Sequence, residues 1–186
     1  MPRTIGLSAG AVIAAALVRA RAEGTGQIGE EHLFAALLAS PDDGPLLARL
    51  GGPQHAELVW ADVREARRRG GLTVGERHAL AGLGIDLDEV VAQVEARLGA
   101  GALDVTAKSA RLGQRVSMSP GAVAVLNAAQ RQKAARGDRH TTARHLVLGM
   151  LAQPGLFADA LAAQGITLAG ALEAMDDDDS APTAEQ

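Results

Sequence analysis

The chain has no cysteine and no tyrosine, and its aromatic complement is two phenylalanines and one tryptophan in 186 residues. Without cysteine there are no disulfides, no thiolate metal sites and no cysteine nucleophile, which fits a reducing, cytoplasmic setting. With so few aromatic and β-branched runs, the usual signals for strands are absent as well. Long apolar runs are missing too: no stretch reaches the ~18 consecutive apolar residues that a membrane-spanning helix needs. The formal charge of −4 gives no electrostatic reason to expect nucleic acid or an anionic membrane as a partner. Nor is there a G-x-x-x-x-G-K-[ST] phosphate loop, a G-x-S-x-G elbow or an H-E-x-x-H metal helix. These absences leave an enzyme reading little to stand on, and no cofactor or metal is expected.

What is present is Ala, Leu and Val in a chain that is 47% hydrophobic, a composition that favours helix. Its main feature is a duplication. Residues 5–51 and 118–165 repeat each other at an offset of 113, which places Gly24 on Gly137, His32 on His145, Leu33 on Leu146 and Pro41 on Pro154. Ala9, Val12, Ile13 and Ala16 move with them onto Ala122, Val125, Leu126 and Ala129. Two copies are too few for a solenoid and point to one body with approximate two-fold internal symmetry.

Each copy opens with an amphipathic helix that ends at Gly24 or Gly137, where a left-handed residue is needed. Ser119-Pro120 supplies the second copy with an N-cap and a proline at the first helical position. A second helix starts near Glu30 or Thr142, and a short third one is expected at Leu46–Leu50 and Phe157–Gln164. A fourth follows Asp86, which with Glu89 reads as a capping box, and has its shorter counterpart at Leu168–Met175. Between helices three and four the offset falls from 114 to 81, so the first copy carries an insert of about 33 residues, near 52–83. The insert contains an expected helix, Pro53–Arg69, with the lone Trp60. Residues 99–114 read as a linker and 176–186 as a disordered acidic tail. The apolar start of the chain has the look of a signal peptide. Its internal match at Ala122–Ala135, which carries Gln130, Arg131, Gln132 and Lys133, argues for a structural helix instead.

The polar clusters mostly have structural explanations. His32 and His145 hold equivalent places at the start of helix two and read as structural rather than metal-binding. Arg64, Arg67, Arg68 and Arg69 lie on a helix with Glu57, Asp62 and Glu65 and read as a solvated face. Glu30 and Glu31 in a first helical turn are explained by the helix dipole.

Gly24, Ile28-Gly29-Glu30-Glu31-His32-Leu33 and Leu37-Leu38 resemble the Clp repeat, and so do His145-Leu146 with Gly149-Met150-Leu151 in the second copy. Leu83-Gly84-Ile85-Asp86 is similar to the motif that closes such a repeat. The resemblance covers residues 5–175 and implies an all-α fold: two pseudo-symmetric four-helix Clp repeats, 5–98 and 118–175, packed as one domain. It also implies a relative of the N-terminal domain of ClpC-type unfoldases without the ATPase modules, a non-enzymatic module for protein segments or cyclic peptides. The module would act as an accessory or decoy, or alternatively as a regulator docked on the unfoldase itself. A hydrolase is the least supported reading. The binding seam implied lies where the two helix-one starts meet, at Ile5, Ser8, Met118 and Ser119, with Glu31 beside it. In the family, phosphorylated arginine is held by helix-one residues and by the glutamate that Glu31 retains. In the second copy Arg144 stands in that glutamate's place and would repel a guanidinium.

Overall fold

A computed structural model describes residues 8–39, 52–68, 70–100, 102 and 116–180. Ile5, the segment 46–50, nearly all of the 99–114 linker and residues 181–186 lie outside the described residues.

Local sequence accounts for most helix ends. Helix α1 (Ala9–Ala22) is capped by Ser8, whose hydroxyl accepts from the Ala11 N–H at 3.3 Å, and it is followed by left-handed Gly24 at φ 67°. Helix α2 (Glu30–Leu38) follows the two-residue strand β1 (Gln27–Ile28). Helix α3 (Gly52–Arg68) matches the expected insert helix. The insert also holds a second helix that the sequence reading passed over, α4 (Val74–Gly82), opened by a Thr73–Glu76 capping box. Helix α5 (Leu87–Leu98) is capped by Asp86, which accepts from the backbone of Asp88 and Glu89. The cap runs one way, because Glu89 turns instead to Gln93 at 3.2 Å.

Strand β2 (Ser117–Met118) then leads into α6 (Pro120–Arg136), capped by Ser119 at 3.1 Å and closed by left-handed Gly137. Helices α7 (Ala143–Leu151), α8 (Leu156–Ala163) and α9 (Leu168–Ser180) complete the order. The last helix corrects the expected tail: it continues through residues 176–180. Asp176 is drawn back to Arg136 of α6 at 2.9 Å, an ion pair that offsets the poor fit of acidic residues at a helix C-terminus.

Positions 113 apart take up matching places. Ala9, Val12 and Ala16 of α1 are buried, as are Ala122, Val125 and Ala129 of α6. Against these small-residue stripes pack Leu33 and Leu37 of α2 and Leu146 and Met150 of α7. All three aromatic side chains meet at one point of the core. Phe34 of α2, Trp60 of α3 and Phe157 of α8 lie with ring centroids 5.5–6.0 Å apart in tilted or edge-on geometry, which suits their quadrupoles. The insert helix is therefore anchored inward, with Val59 and Val63 of α3 also fully buried. By contrast, α4 and α5 have no buried residue, and Leu83 and Leu98 there are 76% and 75% exposed.

The tightest approach is between α6 and α7. A Cβ on Gly149 would come within 2.7 Å of the Ala129 backbone nitrogen, where no flexible side chain can yield. Gly149→Ala is expected to lower stability by about 1–3 kcal/mol through overpacking, read as a reduced urea midpoint. An unchanged midpoint would show that the two backbones are not in contact.

Candidate functional site

The seam is built from an exchange between the two halves. The β1–β2 ladder is parallel, with Gln27 opposite Ser117 and Ile28 opposite Met118. Just beyond it the Ser119 N–H donates to the Ile28 carbonyl at 2.9 Å. On the other side of the exchange the Ala9 N–H donates to the Thr141 carbonyl at 3.0 Å, and Ser8 bridges antiparallel to Thr142. Each helix-one start is thus tied to the lead-in of the opposite half's second helix.

This crossing rearranges the site residues. Met118 and Ser119 are brought to the turn that carries Glu31, whereas Ser8 is tied to the turn that carries Arg144. Ile5 lies outside the described residues. The hydroxyls of Ser8 and Ser119 are both spent on their own helix caps, and Met118 is half-buried against the core.

Around Glu31 the space comes from two glycines. Gly29 has an extended backbone (φ −94°, ψ 177°) open to any residue, yet a Cβ there would collide with the Glu31 carboxylate. A Cβ on Gly121, in the first turn of α6, would lie 2.8 Å from Glu30 Oε2. The two carboxylates at the start of α2 therefore fold back over glycine, Glu31 against its own turn and Glu30 against the start of α6.

Their electrostatics differ. Glu31, with its side chain 15% exposed, accepts from Arg67 Nη2 of α3 at 2.9 Å. Glu30 shows no such close ion pair among the described residues. Its burial, then the neighbouring Glu31, push its carboxyl above the usual value near 4.5, and Arg67 only partly offsets this. Arg67 is the residue that the sequence reading misplaced among solvated arginines. The signal was its spacing: Val59, Val63 and Arg67 recur every four residues, so Arg67 extends the buried stripe of α3.

The paired histidines, both nearly inaccessible, act as backbone caps. His32 Nδ1 accepts from the Gly29 N–H at 2.8 Å, and His145 Nδ1 accepts from the Thr142 N–H at 3.1 Å. With Nδ1 accepting, the proton sits on Nε2, which lies 3.3 Å from Thr25 Oγ1 in His32 and 3.0 Å from Asp138 Oδ2 in His145. Burial holds His145 below its ordinary value, with the bond to Asp138 opposing that shift. Among the described residues no three His, Asp or Glu side chains gather as metal ligands would. No single described helix is long and apolar enough to cross a membrane; α7 and α8 together pass that test on composition, but they are bent by 92° and form part of the core.

Residues 74–164 match the family model of the Clp repeat N-terminal domain, a narrower span than the 5–175 expected from the motifs. No curated protein matches the chain. Among solved structures, the N-terminal domain of the caseinolytic protease-associated chaperone ClpD from Arabidopsis thaliana is similar. It covers 97% of this chain and 98% of its own, at 14% identity and a TM-score of 0.48.

Two outcomes follow from the electrostatics. The unfolded chain takes up a proton at His145 first, so the stability from the neutral imidazole is present above about pH 6.5 and is lost as pH falls through that value. The melting temperature of the wild-type chain is expected to drop more steeply on acidification from pH 7.5 to 5.5 than that of His145→Gln. Parallel curves would contradict this. Glu30 acts in the opposite sense: the preference for its protonated form in the fold is lost as pH rises above about 4.5, leaving a cost at neutrality. Glu30→Gln should therefore melt higher than wild type at pH 7, and an equal or lower melting temperature would refute the assignment.

Proposed function

We propose that the chain, whose residues 74–164 match the Clp repeat N-terminal domain, a protein-interaction module of Clp unfoldases, captures protein segments without catalysing a reaction. The observation that carries this reading is the crossed seam. The half-buried Met118 pairs with Ile28, just ahead of Glu30 and Glu31, and Glu30 lies against Gly121 where the starts of α2 and α6 meet. An apolar, adaptable side chain next to acidic groups suits an unfolded segment with mixed apolar and cationic residues. Cyclic peptides of the same character fit the same description.

The chemistry of the seam supports binding rather than turnover. The imidazoles of His32 and His145 are committed to backbone capping, and the two seam hydroxyls are committed to helix caps. In this reading the module works in the cytoplasm as an accessory or decoy of a ClpC-type unfoldase. Phosphorylated arginine would find Glu31 in place at one half and the cationic Arg144 at the other, so recognition is confined to the Glu31 side.

A second reading, docking on the unfoldase itself, is favoured by the apolar surface of α4 and α5, where Leu83 and Leu98 stand exposed. Recovery of the hexameric unfoldase from lysate without added substrate would support docking over capture.

The capture reading is tested by fluorescence anisotropy with labelled, carboxymethylated unfolded lactalbumin and with its native form. The unfolded protein is expected to bind, the native form to bind at least about tenfold more weakly, and Met118→Ala to weaken the complex. Equal affinity for both forms, or no binding of either, would contradict capture.

A further inference from the structure

The Glu31 carboxylate is already held by a guanidinium, and that guanidinium belongs to the insert. Arg67 reaches it from the last turn of α3, at 2.9 Å, with side chains 30% and 15% exposed. The helix that carries Arg67 cannot drift. Trp60 locks it to Phe34 and Phe157, and Val59 and Val63 are fully buried. The guanidinium is partly solvated and sits near the helix end, with Gly70 and Gly71 following at φ 85° and 70°. A fixed helix whose terminal guanidinium covers a carboxylate at the seam is the geometry of a latch.

We propose that Arg67 is an internal competitor for the seam, and that a captured segment must exchange ion pairs with it. This rests on the capture reading and specifies its regulation. An incoming arginine takes Glu31 only if Arg67 leaves, and a released Arg67 needs a new anion. Glu30 is within electrostatic reach of Arg67 but also faces Gly121 at the start of α6, so a carboxylate on the ligand gives the released guanidinium its full partner. The segment that satisfies both ends carries an arginine next to an acidic residue: its guanidinium replaces Arg67 on Glu31, and its carboxylate receives Arg67. A segment with arginine alone returns less, because the displaced Arg67 gives up its close carboxylate and gains none from the ligand.

Three blocked hexapeptides test this on the full chain by calorimetric titration: one with adjacent arginine and aspartate, one with the aspartate replaced by asparagine, and one with the arginine replaced by glutamine. Wild type is expected to bind the first roughly tenfold more tightly than the second, because only the first offers the displaced Arg67 a carboxylate. Arg67→Met should erase that preference and raise affinity for the asparagine peptide. Arg67→Lys, which keeps the charge but loses the planar fork, should fall between. Glu31→Gln should bind the arginine and glutamine peptides alike. The latch is overturned if Arg67→Met leaves both affinities unchanged, or if neither peptide shifts the Arg67 guanidinium resonance of the wild type. If unfolded lactalbumin binds while arginine content makes no difference in any variant, capture stands and the latch falls. If neither the peptides nor lactalbumin bind any variant, capture falls with it.

Discussion

The junction of Phe34, Trp60 and Phe157 is the constraint on which the rest of the molecule depends. Most of the core is alanine, valine and leucine, whose small side chains allow helices to approach closely but bury little area each. The three rings supply the large apolar surfaces, with pairwise geometry worth about 0.5–1.5 kcal/mol each beyond burial. One ring comes from the first half, one from the insert and one from the second half. The chain has no other aromatic residue with which to fasten the insert. Fixing α3 in this way places Arg67 beside Glu31, so a packing decision in the core determines the electrostatics at the seam.

The second organising element is the exchange across the seam. Backbone bonds from Ser119 to Ile28 and from Ala9 to Thr141 join each half to the other. The crossing brings Glu30 to the start of α6, with Glu31 beside it on its own turn. There the arrangement works against stability: burial and the neighbouring Glu31 raise the Glu30 carboxyl pKa, and the two carboxylates lie over Gly29 and Gly121. Local conflict of this kind, in an otherwise consistent fold, is what a binding site looks like when its groups are held ready for a ligand. The equivalent histidines show the opposite, with every ring nitrogen committed to holding the turn in shape.

Much of the helical frame was legible in the residues. Ser119-Pro120, Gly24, Gly137 and Asp86 mark helix ends by local chemistry, and the structure places caps and stops there. Helix α4 was legible too, in the Thr73-x-x-Glu76 pattern, but lay inside an insert that the repeat comparison treated as extra. What could not be read was contact between elements far apart in sequence. Comparing the copies aligns Glu30 with its own half, whereas the fold sets it against Gly121 at the other half's helix start. Arg67 sat in a run of arginines whose average reading is solvent, and only its four-residue spacing from Val59 and Val63 betrays the inward face. The pairing of Asp176 in α9 with Arg136, forty residues away, is likewise something no local rule supplies.

The most direct measurement is a map of backbone amide shifts in the full chain as carboxymethylated unfolded lactalbumin is added. Binding at the crossed seam predicts perturbations concentrated at Ile28–Glu31 and Met118–Gly121, accompanied by the side-chain signal of Arg67. Perturbations confined to α4 and α5, or none at any residue, would contradict it.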